Sequence, residues 1–242
     1  MFKGTLTTDT MKTALVAALC AWRVFAISIV LFAQEADEFS SLDDALKAPD
    51  KVTRLNLSDK KLSSLSADVG KLTNLVELNV SRNQLSSIPP EIGNLKKLQF
   101  FSATGNQLES LPKEFFALKE LKQLVLNRNR IYTLPPEIGQ LTALQYLDLR
   151  ENKLRQLPPQ IGKLKELQTL DLFKNDLESL PADIGNLTNL KMLILGQNEL
   201  RSLPPAVAGL KNLKQLGLSR NKFSDADQAA VKQWLPQAEI SF

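Results

Sequence analysis

The chain has 242 residues, a hydrophobic fraction of 43%, a charged fraction of 23% and a formal net charge of +4, the balance of an ordinary soluble protein. A charge that low, with both signs interspersed along the chain, gives no electrostatic footprint for nucleic acid. Histidine is absent and the single cysteine is Cys20, which removes imidazole acid–base catalysis, Ser-His and Cys-His nucleophiles, nearly all zinc and copper sites and any disulfide in the body of the protein.

Residues 1–33 read as an address rather than as fold. Ala14 to Ala33 is almost wholly apolar, broken by Arg23, with Lys12 before it and Gln34-Glu35 after it. Val24 to Ala33 has the length of a signal-peptide core, and Leu31-Phe32-Ala33 serves as the cleavage site, although Leu31 is large for its place. The run from Met11 (Met-Lys-Thr, then apolar) also has the form of a natural start, so Met1 and Met11 compete as first residue. Three alternatives to a cleaved signal stay open. Retained, the stretch is long enough to span a bilayer, with Arg23 costly near its middle. Cys20 is a candidate for lipidation, against the bulky Leu19 before it. In a cytoplasmic protein the segment is a buried helix that needs a partner for Arg23. The expectation is export to the envelope or beyond, and a cytoplasmic location if the segment is no signal.

Residues 34–51 are expected to form an N-terminal cap. Ser41-Leu42-Asp43-Asp44 has a capping-box pattern that starts a short helix, and Leu42 and Leu46 can pack on the first coil of the solenoid that begins at Val52.

From Val52 the sequence repeats every 23 residues through residue 223, in eight copies that begin at Val52, Leu75, Leu98, Leu121, Leu144, Leu167, Leu190 and Leu213. Such a period means stacked solenoid units. Within a copy, Leu124 and Leu126 alternate with Gln123 and Val125, the pattern of a short strand with one buried face. Strands one repeat apart run parallel, because each coil returns in the same direction. Asparagines recur in strict register from Asn83 to Asn221, with Lys60 in the first copy. Seven amides in register predict a ladder that satisfies buried turn backbone. The return segment, as in Leu134-Pro-Pro-Glu-Ile-Gly-Gln-Leu141, predicts short helical or 3₁₀ turns on the outer side, with Gly139 closing its turn in a left-handed conformation. The pattern relaxes at Phe115-Phe116 and at Ala206-Val-Ala208, read as repacked outer turns. Ser224 to Leu235 reads as an amphipathic cap helix carrying Val231 and Trp234, stopped by Pro236, and residues 238–242 as a last edge strand.

The copy Leu121-Lys-Gln-Leu124-Val-Leu126-Asn-Arg-Asn129-Arg-Ile131 resembles the leucine-rich-repeat signature L-x-x-L-x-L-x-x-N-x-L, and the resemblance covers about 170 residues. It is similar throughout to exported bacterial proteins of the Leu-Pro-x-x-Ile-Gly type. The resemblance implies an α/β fold: a leucine-rich-repeat horseshoe with a parallel sheet on the concave face, short turns on the convex face and helical caps at both ends. It also implies protein–protein recognition facing the envelope or a host, without catalysis or cofactor.

Strand residues that face away from the core have no packing duty, so specificity is expected there. Most are Gln, Lys, Asn, Ser or Arg, and against them Phe100, Val125, Tyr146, Phe173, Met192 and Ile194 stand out as an apolar patch. Arg128, Arg150 and Lys174, with Asp148, Glu151 and Asp171, form a mixed-charge surround. Asp148 and Asp171 fall at the same position of neighbouring strands. Such a pair can hold a cation, but the nearby basic residues offer simple compensation, so no metal is assigned. The ligand expected is a protein bound by a monomer. Carbohydrate stays open, because Tyr146 and Phe173 can stack on sugars. Two other functions also stay open: an intracellular scaffold docking a small GTPase or phosphatase, and a self-associating surface protein.

Overall fold

The structure, a computed structural model, describes residues 38–242; the expected signal, its cleavage site and Cys20 lie outside the described residues. Ten strands form one sheet whose spatial order is the chain order: β1 (Glu38–Phe39), β2 (Arg54–Asn56), β3 (Glu77–Asn79), β4 (Phe100–Ser102), β5 (Gln123–Val125), β6 (Tyr146–Asp148), β7 (Thr169–Asp171), β8 (Met192–Ile194), β9 (Gln215–Gly217) and β10 (Glu239–Ser241). Every neighbouring pair is parallel, and from β2 to β9 partners are one 23-residue repeat apart, as in Leu124 opposite Leu147 and Leu147 opposite Leu170. The 23-residue period therefore sets the register directly. A slip of one residue would turn the buried leucines to solvent.

Leucines of the repeat frame stack into a single core running the length of the solenoid, with Leu75, Leu78, Leu121 and Leu124 wholly buried. One coil departs from this. Phe101 replaces the strand leucine, and its ring meets Phe115 edge-on at 5.1 Å, which in turn meets Phe116 at 6.0 Å. The outer turn Lys113–Ala117 thus fills with aromatic volume what its neighbours fill with Ile and Gly, the repacking expected there.

Each outer segment is a 3₁₀ turn, from Pro49–Lys51 to Pro205–Gly209. Six are preceded by Pro89, Pro112, Pro135, Pro158, Pro181 or Pro204 at the cap position in extended backbone, where a missing N–H costs nothing. The expectation for Gly139 is corrected. Among the described glycines only Gly105 has a positive φ, of 65°. A Cβ on Gly139 would instead lie 2.8 Å from the carbonyl oxygen of Gln160, and one on Gly162 2.4 Å from that of Asp183. These glycines let the 3₁₀ turn of one coil press against the backbone of the next. The left-handed backbone lies on the other side of the coil, at the residue before each ladder position, as in Arg128, Glu151 and Lys174 with φ between 52° and 56°.

The asparagine ladder forms as expected. Asn129 is typical: its Oδ1 accepts from Leu108 N at 3.0 Å, and its Nδ2 donates to Ala103 O and Leu126 O, each at 2.9 Å. One amide thereby ties its own turn to the previous coil.

Both ends are covered. At the first, α1 (Leu42–Ala45) is capped by Ser41 Oγ, which accepts from Asp44 N at 3.4 Å. The carboxylate of Asp44 accepts mainly from Lys47 Nζ, at 2.6 Å, with Ser41 as a lesser partner. Leu42 and Leu46 pack against the core, and β1 adds a strand that the repeat pattern does not reveal. At the other end α2 (Asp225–Trp234) has a complete capping box between Ser224 and Asp227. Val231 is buried beneath it, and Phe223 meets Phe242 edge-on at 5.8 Å beside β10. No helix among the described residues is long and apolar enough to cross a membrane.

Candidate binding face

The sheet face turned away from the core carries two columns of side chains. The first runs Phe100, Gln123, Tyr146, Thr169 and Met192, each opposite the next. Polar residues therefore separate the three apolar ones, which lie two strands apart, about 10 Å. The second column runs Ser102, Val125, Asp148, Asp171 and Ile194, with Val125 and Ile194 bracketing the acidic pair. Phe173 lies just beyond the end of β7.

The sequence suggested exposed apolar residues, and the structure qualifies this. Phe100, Val125, Tyr146, Phe173, Met192 and Ile194 are all half-buried. Two glycines explain part of it. Phe173 leans over Gly196, its Cδ2 only 3.2 Å from where a Cβ would be, and Ile194 lies 3.6 Å from the same point on Gly217. The side chains of one coil fill the shallow left by the next, which holds them in place. The one exposed large apolar residue among those described is Tyr132, at 54% exposure in the loop after the ladder position of its coil. It lies outside the strand positions that pattern reading singles out, and its only signal is an aromatic at a site filled elsewhere by Ser, Glu or Arg.

The acidic pair is corrected more sharply. Asp148 is 1% exposed and Asp171 6%, so neither is an open contact residue. Asp148 Oδ1 accepts from Arg150 N at 3.0 Å, and Asp171 Oδ1 from Phe173 N at the same distance. Asn56 and Asn79 make the same bond two residues onward, to Ser58 and Ser81. This position thus satisfies the backbone where the chain leaves the strand, a structural duty the alternation pattern hides.

Arg150 covers the pair. Its Nη2 donates to Asp148 Oδ2 at 2.8 Å, and its Nε lies 3.4 Å from Asp171 Oδ2. Asn127 Nδ2 completes the cluster on Asp148 Oδ2 at 3.1 Å. Burial works against the Arg150 charge, but the hydrogen bond and charge of Asp148 raise its pKa above the ordinary value. Burial pushes the Asp171 carboxyl up, the Asp148 charge adds to this, and Arg150 and Phe173 N–H only partly offset it, leaving a pKa of about 7. The Arg150 guanidinium supplies the positive charge between the two acids.

Along the rim, Glu151 accepts from Arg128 Nε and Lys174 Nζ, each at 3.1 Å. Burial opposes its charge, but the hydrogen bonds from Lys174 and Arg128 hold its pKa below the usual carboxylate value. Arg128, Glu151 and Lys174 therefore form a chain of charge across three coils. The face as a whole offers fixed apolar side chains around a largely neutralised, pre-ordered polar centre. That suits recognition of a surface.

Comparisons agree with this architecture. A family model described as a leucine-rich repeat region matches residues 28–145 and 135–235. Comparison with the curated proteins yields no match. Among solved structures, an internalin of Listeria monocytogenes superposes with a TM-score of 0.71 at 22% identity, over 86% of this chain and 58% of that one. The ectodomain of a plant membrane receptor kinase from Arabidopsis thaliana, solved in complex with Casparian strip integrity factor 2, superposes at 0.63 with 31% identity, over 84% of this chain and 28% of that one. A leucine-rich-repeat protein of Leptospira interrogans shares 32% identity over 80% of this chain and 62% of its own, at a TM-score of 0.49. The chain thus spans less than two thirds of each of these proteins.

Proposed function

The chain belongs to the leucine-rich-repeat family, and from that premise we propose that it is a non-catalytic module that binds a protein through the sheet face between β4 and β8. The observation that carries this reading is the pre-ordered face itself. Phe100, Tyr146, Phe173 and Met192 are held half-buried around the cluster of Asp148, Arg150 and Asp171, and rigid aromatic, Met and Arg side chains are the usual anchors of interfaces. The plant receptor kinase, whose matched part is an ectodomain, was solved with a bound factor, which supports a binding role for this architecture. An exported location, facing the envelope or a host, fits that neighbour and the apolar N-terminal stretch.

Affinity capture on the immobilised full chain, compared with the triple variant Phe100→Ala/Tyr146→Ala/Phe173→Ala, tests the reading. A specific protein should be retained by the wild type and lost, by at least about tenfold in affinity, from the variant, since each anchor is worth roughly 1–2 kcal/mol. The far-ultraviolet spectra of the two should coincide. Equal retention by both overturns the assignment of this face. Fractionation with N-terminal sequencing tests export, and an intact N-terminus in the cytosol overturns it.

A further inference from the structure

The net charge of +4 conceals a strong asymmetry across the solenoid. In each coil a six-residue stretch leads from the last residue of the 3₁₀ turn into the next strand. Seven of these, 71–76, 94–99, 117–122, 140–145, 163–168, 186–191 and 209–214, stack along one edge. Together they hold ten lysines against two acids, Glu120 and Glu166, a net +8, so all other positions sum to −4. We propose that this edge is a docking surface for an anionic lipid bilayer.

Pairing separates this edge from its opposite. Among the described residues, only Lys71 of the ten lysines has a carboxylate partner, Asp68 at 2.6 Å. Others bond to neutral oxygens: Lys97 Nζ to Asn74 Oδ1 at 2.7 Å, Lys119 Nζ to Gln140 O at 3.0 Å, and Lys165 Nζ to Asn186 O at 2.8 Å. These contacts position the ammonium groups without neutralising them. On the opposite edge part of the charge is cancelled internally, by Arg82 with Asp59, by Arg128 and Lys174 with Glu151, and by Lys222 with Glu199.

Residue type narrows the partner. The edge is all lysine; every arginine among the described residues lies elsewhere. Arginine suits a fixed phosphate held by two parallel bonds, whereas a flexible, strongly hydrated ammonium suits mobile headgroups with no fixed positions. No aromatic residue occurs in these 42 positions, so nothing is offered for stacking nucleic-acid bases or sugars. With coils about 4.8 Å apart the array runs roughly 29 Å, and neighbouring lysine-bearing coils lie within about a Debye length of each other, about 10 Å at 0.1 M salt, so adjacent members reinforce one another. Lysine clusters of this size bind anionic leaflets. With the bilayer under this edge, the sheet face remains open for the partner proposed above, and the two readings stand independently.

The test is flotation of the full chain with vesicles of phosphatidylcholine alone or mixed with phosphatidylserine. At low salt, partition onto the mixed vesicles should exceed that onto neutral ones by at least about tenfold, and the excess should vanish at high salt. The variant Lys96→Gln/Lys97→Gln/Lys119→Gln/Lys122→Gln should lose about tenfold of that partition. A charge-matched control on the other edge, Lys153→Gln/Arg155→Gln/Arg201→Gln/Arg220→Gln, should stay within about twofold of wild type. All eight residues are exposed, and unchanged circular dichroism confirms folding. Three results would each overturn the proposal: equal binding to neutral vesicles with no effect of the edge variant, which means apolar insertion; equal losses in both variants, which means net charge alone; or retention on heparin without retention on anionic vesicles, which means a glycan.

Discussion

Asp148 and Asp171 stand directly opposite each other on neighbouring strands, both buried, and one guanidinium serves them both. Two carboxylates so placed repel each other in a region poorly reached by water, and Arg150 offsets that repulsion from two residues further along the first coil. Charge that the sequence offered as a contact surface is thus largely spent within the molecule.

Removing the guanidinium should therefore cost stability. Arg150→Met keeps the aliphatic stem but leaves two buried acids without compensation. Breaking a fully buried pair costs about 3–5 kcal/mol; Arg150 is 28% exposed at its side chain, so a loss of about 2 kcal/mol is expected. Urea unfolding at pH 8 measures it. Arg150→Met with an unchanged midpoint would show that the pair is already neutralised by other means.

The pH dependence has a definite sign. The Asp171 carboxyl is raised to about 7 in the folded protein from 3.8, so between these values the native state holds a proton that the unfolded chain has lost. Its stabilising contribution is complete below about pH 4 and is lost as pH rises toward and through 7. Asp171→Asn should abolish this decline and stabilise the protein above neutrality, because Asn79 already makes the equivalent bond to Ser81 N at 3.0 Å in β3. Unfolding midpoints between pH 4 and 8 check both statements. A variant with the same slope as wild type would assign the titration to another group.

How much of this was legible in the sequence depended on whether a residue's duty recurs. Leucine at Leu124 and asparagine at Asn129 do the same work in coil after coil, so periodicity alone exposed strand, core and ladder. Strand β1 belongs to no repeat and left no such trace. At Asp148 the residue type varies along its column, from Asn through Ser and Val to Asp and Ile, so its bond to Arg150 N was hidden behind the appearance of free surface. The apolar positions from Phe100 to Ile194 were legible as a set. Their half-burial was not: for Phe173 and Ile194 it follows from Gly196 and Gly217 in the following coils. The lysine edge escaped notice because its members are scattered along the chain and meet only when the coils stack.

Glycine makes a contrast that sequence reading reverses. Gly105 has φ 65° but open space around it, the nearest atom to an added Cβ lying 3.8 Å away, and Arg128, Glu151 and Lys174 hold the same backbone at the same position. Gly105→Ala should therefore cost only about 1 kcal/mol. Gly162 has no unusual φ, yet an added methyl would meet Asp183 O at 2.4 Å. Two coils would have to part, so Gly162→Ala should cost about 2–3 kcal/mol. Denaturation of the two variants side by side settles the order, and the reverse order would mean that the outer turns yield more easily than their spacing indicates.

The amide ladder should be strongest in its middle. Asn129→Ala takes the acceptor from Leu108 N in a buried turn and removes the amide's bonds to Ala103 O and Leu126 O, which still accept from Asn106 Nδ2 and Asn152 Nδ2, each at 3.0 Å. The unpaired N–H costs about 1–3 kcal/mol and each lost hydrogen bond about 0.5–1.5 kcal/mol, reduced where water can enter, so a loss of about 3 kcal/mol is expected at this site. Asn221 makes the same three bonds, to Leu200 N, Leu195 O and Leu218 O, in a part-buried setting near the C-terminal end. Water can replace the amide there, and Asn221→Ala should cost roughly half as much. Because a solenoid is held by contacts between successive coils, the central substitution should also split unfolding into two transitions, one for each side of the broken coil. Calorimetry can resolve them. A single transition with equal losses at both positions would mean that the ladder adds only local turn stability and does not couple one coil to the next.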